Sequence, residues 1–267
     1  MWKISDLLQG LAPKSPLRAE PPDLAHCPAG EVRPKLRTAG AVRFRPEISC
    51  NSSRLAGAEA FIDGRPPDSL GAAEIRRLVD CAVAALRTCA DAGAPPPQIA
   101  LTIPVAALSE GWLADHVIWE CDRLEVPPHR LLLRAIRGDA PLLDGAAAGR
   151  VMGRLADAAC GLDLDDLPAL RHRHADLAGK AARRVRVNGA EGMDAAVLSI
   201  MALADHLGLP VLAERIETRD QLFWLAQIGC DMVSGPVTGA PLDAEELALM
   251  AAQGGSGAAA RAGQYAA

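Results

Sequence analysis

Apolar positions along this chain change their spacing many times, and each change marks an element. Residues 41–48 and 55–62 read as strands, joined by a polar turn at Asn51, Ser52 and Ser53. From Ala72 to Ala92 the spacing becomes helical, with Ile75, Leu78, Val79, Ala82, Val83, Leu86 and Cys89 on one face. After the proline break at 95–97, strands are predicted at 98–103, 130–136, 162–164, 184–187, 209–213 and 231–233. Helices are predicted between and after them at 109–124, 146–159, 193–207, 218–228 and 243–252, with a helical patch at 167–180. Thr218 is a good N-cap for its helix, and Gly229 stands where a helix C-terminus favours glycine.

Repeated strand–helix units favour a parallel sheet. Their number in the stretch from residue 40 onward suits a TIM-like (β/α) barrel of the α/β class, and no glycine-rich nucleotide loop follows the first strand. The spacing alone also accommodates an open doubly wound sheet. Outside this region, residues 1–38 form a proline-rich segment in which Trp2, Ile4, Leu7, Leu8 and Leu11 mark a short amphipathic helix. That segment reads either as a loosely docked terminus or as a partner- or membrane-surface helix. Residues 253–267, almost all Gly, Ala and Ser, read as a disordered tail that bounds the barrel domain at 39–252.

Composition narrows the partners. Half of the residues are hydrophobic but only 3% are aromatic, so the core must be built from Ala, Leu, Val and Ile. A net charge of −5 argues against a dedicated nucleic-acid surface. The seven cysteines form no C-x-x-C pair and read as reduced, buried thiols of a cytoplasmic protein. No stretch reaches the roughly 18 apolar residues of a membrane span, and the N-terminus lacks a secretory signal pattern.

Acids at the ends of these strands carry the candidate chemistry. Glu214 and Glu217 close the strand at 209–213, and Asp165-Asp166 close the one at 162–164. The run GLPVLAERIETRDQLFWLAQIGCDMVSG at 208–235 resembles the end of an EAL domain, the barrel that binds or hydrolyses cyclic di-GMP. There the family reads E-G-V-E-T, a helix, G-C-D and Q-G-Y. The resemblance extends from about residue 41 to 247 through Arg43-Phe44-Arg45-Pro46, Glu59-Ala60-Phe61 in the place of E-A-L, Asp165-Asp166, Arg186-Val187-Asn188 and Pro241-Leu242. It implies hydrolysis of a phosphodiester assisted by two Mg or Mn ions, with ligand roles for Glu59, Asp165, Asp166 and Glu214 and a loop-ordering role for Glu217.

Other positions depart from the family's pattern. A ligand Asn is Thr102, its neighbouring Ser is Pro104, and a ligand Glu is Arg134, with Arg137 just beyond. Two like charges 4 Å apart repel by about 4 kcal/mol at an effective dielectric near 20, and a guanidinium does not titrate away. The Lys near the attacking water is Arg186, the Asp after it is Asn188, and the Gln of Q-G-Y is Ser234. The loop glycines after Asp165-Asp166 are lost and Pro168 is gained.

A catalytically inactive, degenerate EAL barrel is therefore expected, one that holds no metal cofactor and acts through an unidentified regulatory protein in bacterial second-messenger, motility or surface-attachment control. Two alternatives stay open: a metal-independent cyclic di-GMP receptor, and an active phosphodiesterase. For a receptor, Arg45, Arg134 and Arg186 are the candidate phosphate contacts, whereas Asp63 replaces an Arg that would face the phosphate. Arg134 can equally neutralise Glu59 or Asp165 in place of metal, and the acids at the strand ends can simply be salt-bridged to Arg134 and Arg186. A homodimer is also compatible with the family resemblance. Arg171-His172-Arg173-His174 reads as a solvated basic face or as a metal or anion site. His26, His116, His129 and His206 have no ligand partners at metal spacing along the chain, and Phe223 and Trp224 read as core and interface residues.

Overall fold

Eight strands close into a barrel in the order β1-β2-β3-β4-β5-β6-β7-β8. The structure, a computed structural model, describes residues 40–94, 97–136, 145–164, 181–189 and 195–260. The strands are β1 Val42–Ser49, β2 Leu55–Ile62, β3 Gln98–Pro104, β4 Leu131–Ile136, β5 Gly161–Leu164, β6 Ala182–Asn188, β7 Val211–Glu214 and β8 Met232–Ser234. The helices are α1 Ala72–Asp91, α2 Trp112–Arg123, α3 Gly145–Asp157, α4 Ala195–Leu207, α5 Arg219–Gln227 and α6 Ala244–Ala260. The predicted N-terminal helix and the helical patch at 167–180 lie outside the described residues. So do Arg137 and the Arg171–His174 run.

The sheet is parallel from β2 round to β8, but β1 runs antiparallel to both neighbours. The reason is connection length. Only the turn at 50–54 joins β1 to β2, too short for a crossover, so the two must form a hairpin. A second departure from the expected boundaries is α6, which runs to Ala260 instead of ending at Ala252. The added turns run through Gly254, Gly255 and Gly257, which are poor helix formers, so helix propensity does not account for them.

The apolar core lies between the outer face of the barrel and the helices. Phe44, Ile48, Ala58, Ile99, Leu101, Val185 and Val233 from the strands pack with Leu78, Leu86, Leu113, Val117 and Leu247 from the helices in one contiguous cluster. Period-2 alternation sends the remaining strand residues into the barrel. Among these, Ala100, Leu132 and Leu212 are buried yet stand apart from that cluster. Beside them the interior holds the buried charged side chains of Glu47, Glu59, Asp163, Arg184 and Arg186. Cys50, Cys89, Cys121, Cys160 and Cys230 are buried, and burial pushes the Cys89 and Cys121 thiols up to about 11 and the Cys160 thiol up to about 12. Such thiols stay protonated and unreactive at neutral pH.

Candidate functional site

Two layers of arginine and carboxylate fill the barrel. In the inner layer, Arg184 Nη2 donates to Glu47 Oε1 at 2.8 Å and to Asp163 Oδ2 at 2.7 Å. Arg186 Nε donates to the same Asp163 oxygen at 2.6 Å, and its Nη2 to Glu47 Oε1 at 3.1 Å. The backbone makes room for these head groups. Between β5 and β6 the register shifts, so that Arg184 stands opposite Asp163. Gly57 lies beside Glu47, and a methyl group there would come within 2.5 Å of Glu47 Oε2. Burial alone would raise the Asp163 pKa, but Arg184 and Arg186 pull it down to about 2. The Arg186 guanidinium is opposed by its own burial, yet Asp163, Glu59, Glu47 and Glu214 hold its pKa well above the usual value.

The outer layer sits at the C-terminal ends of the strands. Glu59 on β2 accepts from Thr102 Oγ1 at 2.6 Å, from Arg134 Nη1 at 3.1 Å and from Arg45 Nη1 at 2.5 Å. Arg134 also reaches across the barrel, its Nη2 donating to Glu214 Oε1 at 3.1 Å. Arg186 links the two layers by donating from Nη1 to Glu214 Oε2 at 3.3 Å. Burial would raise the Glu59 pKa, but Arg186, Arg45, Arg134 and the Thr102 hydroxyl bring it down to about 2. Across the two layers, Arg45, Arg134, Arg184 and Arg186 face Glu47, Glu59, Asp163 and Glu214, so these described residues balance without another cation.

Above the outer layer opens a cleft of ≈ 1040 Å³, lined by Arg45, Glu59, Thr102, Arg134, Glu214, Arg215 and Glu217 among others. Its lining includes Gly235, whose φ of 146° and close approach to the Ile216 backbone leave no space for a side chain. Ser234 and Thr238 turn their hydroxyls to the Pro46 carbonyl, at 3.2 and 3.0 Å, satisfying a polar group in the closed barrel. Arg215 holds a left-handed φ of 62°, uncommon for a residue with a side chain.

These contacts sort the sequence candidates. Glu59, Thr102, Arg45, Arg134 and Glu214 converge on the cleft, and Glu217 and Ser234 line its edge. Arg186 lies beneath it, fully buried and engaged by carboxylates, a poor position from which to meet a ligand phosphate. Asp163 belongs to the site although it was not a candidate, while Asp165 and Asp166 lie outside the described residues. Asp63, expected to face a phosphate, is buried and is not among the residues lining the cleft. His116, expected to stand alone, has its Nε2 2.8 Å from Asp80 Oδ1. Sequence spacing could not show this pair, because its members come from different helices. Sequence reasoning also passed over Glu47, Arg184 and Arg215; the first two are signalled only by a charge inside an apolar strand.

Among the described residues, Glu59, Thr102, Arg134 and Glu214 do not make a donor set suited to a two-ion site of the Mg or Mn kind; Asp165 and Asp166 lie outside them. Such ions need several carboxylate oxygens turned toward one point. Here the Arg134 guanidinium occupies the space between Glu59 and Glu214 and bonds to both.

The family model of the EAL domain matches residues 33–241. The chain belongs to the EAL domain family. A curated relative, the bifunctional diguanylate cyclase/cyclic di-GMP phosphodiesterase MucR of Pseudomonas aeruginosa, is 24% identical over 230 residues, 77% of this chain and 33% of its own length. The chain thus spans about a third of that relative. Among solved structures, the MucR phosphodiesterase in complex with cyclic di-GMP superposes with a TM-score of 0.63 at 21% identity, covering 78% of this chain and 93% of the other. The EAL domain of Mycobacterium smegmatis DcpA gives a TM-score of 0.65 at 18% identity, covering 81% and 97%. The EAL barrel expected from sequence is the fold observed. Among the described residues, no helix is long and apolar enough to cross a membrane.

Proposed function

We propose that this EAL domain is catalytically inactive and works as a regulatory protein in cyclic di-GMP signalling through contacts with another protein. One observation carries the reading: Arg134 bridges Glu59 and Glu214, placing a fixed positive charge between the acids that would otherwise ligate metal. A guanidinium supplies charge and hydrogen bonds but no coordination site for water, so it stabilises the carboxylates without generating a nucleophile. Thr102 supports the same reading, since its hydroxyl donates to Glu59. A barrel that keeps its architecture while filling its metal position suits a role carried by its outer surface. The bacterial process it controls, motility and surface attachment included, follows from family analogy.

An assay for cyclic di-GMP hydrolysis with Mg or Mn tests the proposal. No product above the metal-free control is expected, and sustained turnover that Glu59→Gln abolishes would overturn it.

A second reading, a metal-independent cyclic di-GMP receptor, is favoured by the cleft itself. Its volume suits a small-molecule ligand. Arg45, 38% exposed at its side chain and stacked on Phe61, supplies positive charge at the mouth together with the exposed Arg215. The solved MucR domain holds cyclic di-GMP. Calorimetric titration with the nucleotide, with and without Mg, separates the readings. Saturable metal-independent binding that weakens in Arg45→Ala supports the receptor, and no heat at high micromolar nucleotide rejects it.

A further inference from the structure

On the outer side of the barrel, away from the cleft, α1 and α2 bring three ligand-type side chains together. Asp80 comes from α1. His116 and Glu120 come from α2, four residues apart and so on one face of the helix. One ligand atom from each lies within 4.8 Å of the others. We propose that Asp80, His116 and Glu120 form a binding site for one divalent transition-metal ion of the zinc type.

The chemistry of the donors points to that class. One imidazole nitrogen and two carboxylate oxygens suit zinc, and three protein ligands leave a fourth position for water. Magnesium and calcium prefer oxygen-only shells and are disfavoured.

The surroundings hold the ligands in place. The imidazole of His116 stacks on Trp119 at 6.5 Å between centroids and meets Trp112 edge-on at 6.4 Å. Glu120 is 4% exposed, on a face otherwise made of Leu113, Ala114, Val117 and Cys121. Burying a carboxylate there is costly without a cationic partner. Arg123 supplies part of that compensation, donating from Nε at 3.1 Å and from Nη2 at 2.5 Å. Both bonds fall on Oε2, which leaves Oε1 unengaged by Arg123. The Arg123 charge also opposes a dication, so the site is weaker than one with two unpaired carboxylates. Its other contact is the face of Trp119, 5.4 Å from the ring centroid. Bound metal would tie α1 to α2 and fix a stretch of the barrel's exterior on which Trp119 stands 57% exposed.

The test is zinc binding to the untagged 267-residue chain, followed by equilibrium dialysis with metal analysis and by thermal denaturation. Asp80→Asn is the principal variant, because Asp80 is half-exposed and Asn keeps its shape. His116→Ala is the second. The wild type is expected to take up one equivalent of zinc and to melt at a higher temperature with it. Each variant should weaken that binding by at least the roughly 10- to 100-fold that loss of an outer-shell partner costs. Copper(II) added in place of zinc should quench tryptophan emission in the wild type, and Trp119→Phe should reduce the quenching while zinc uptake persists. Since seven cysteines can also capture zinc, uptake that is equal in the wild type, Asp80→Asn and His116→Ala overturns the proposal. Absence of saturable uptake by the wild type overturns it as well.

Discussion

The two layers inside the barrel are made of the same two kinds of group, guanidinium and carboxylate, and differ in their access to water. In the inner layer the side chains of Glu47, Asp163 and Arg184 are 0–1% exposed. In the outer layer Arg45, Arg134 and Glu214 remain partly open to the cleft. The inner layer therefore has no solvent to replace a lost partner, and its charges must be satisfied within the fold. The outer layer can exchange partners with solvent or a ligand, so it can lose one function and take up another. On the proposed reading, the barrel interior stays ionic and an arginine stands where the family resemblance implies metal.

The comparison breaks most easily at Arg184. Arg184→Met leaves Glu47 and Asp163 short of a buried cation, and a stability loss of about 3–5 kcal/mol is expected from urea denaturation. A loss below about 1 kcal/mol, the scale of an exposed ion pair, would erase the distinction between the layers.

Acid sharpens it next. The folded-state pKa values of Glu59 and Asp163 are lowered to about 2, from 4.5 and 3.8 respectively. Lowered carboxylate values contribute stability that is fully present above the unfolded pKa and lost as pH falls through the folded one. Stability should therefore decline between about pH 5 and pH 2, with a Glu59 share of about 3 kcal/mol. Denaturant melts of the wild type and Glu59→Gln across that range check this, and the variant should show the shallower slope.

Gly57→Ala gives the smallest effect. The added methyl group would press on Glu47 Oε2 and on the Gln98 carbonyl, which would be 2.9 Å away. Overpacking of this kind costs about 1–3 kcal/mol. No loss on Gly57→Ala would mean that the inner layer is looser than its contacts indicate.

Much of the scaffold was legible because each element carries its own periodicity. The expected strand at 55–62 coincides with β2, and Thr218 caps α5 by accepting from the Gln221 amide. The antiparallel β1 follows from the short turn after it, a signal present in the sequence that repeated strand–helix units obscured. The site was legible only in part. Glu59, Thr102, Arg134 and Glu214 could be placed by resemblance, and the neutralisation of Glu59 by Arg134 was among the expectations. Arg184 and Arg186, two apart on β6, do show that they share a face. Nothing local shows that their partner Glu47 lies across the barrel, 137 and 139 residues away in the chain. Pairing at that range is set by barrel closure, so motif spacing does not contain it.

Occupation of a metal ion's place by Arg134 is the step on which the proposed function turns. It is tested most directly by thermal denaturation of the wild type and Arg134→Glu, each across a series of Mg concentrations and in chelator. The wild-type melting temperature should not respond to Mg. The variant, with three carboxylates facing one another, should melt lower in chelator and recover as Mg is added. A Mg-dependent rise in the wild type that Glu59→Gln abolishes would contradict the account, because it would place the ion where the guanidinium stands.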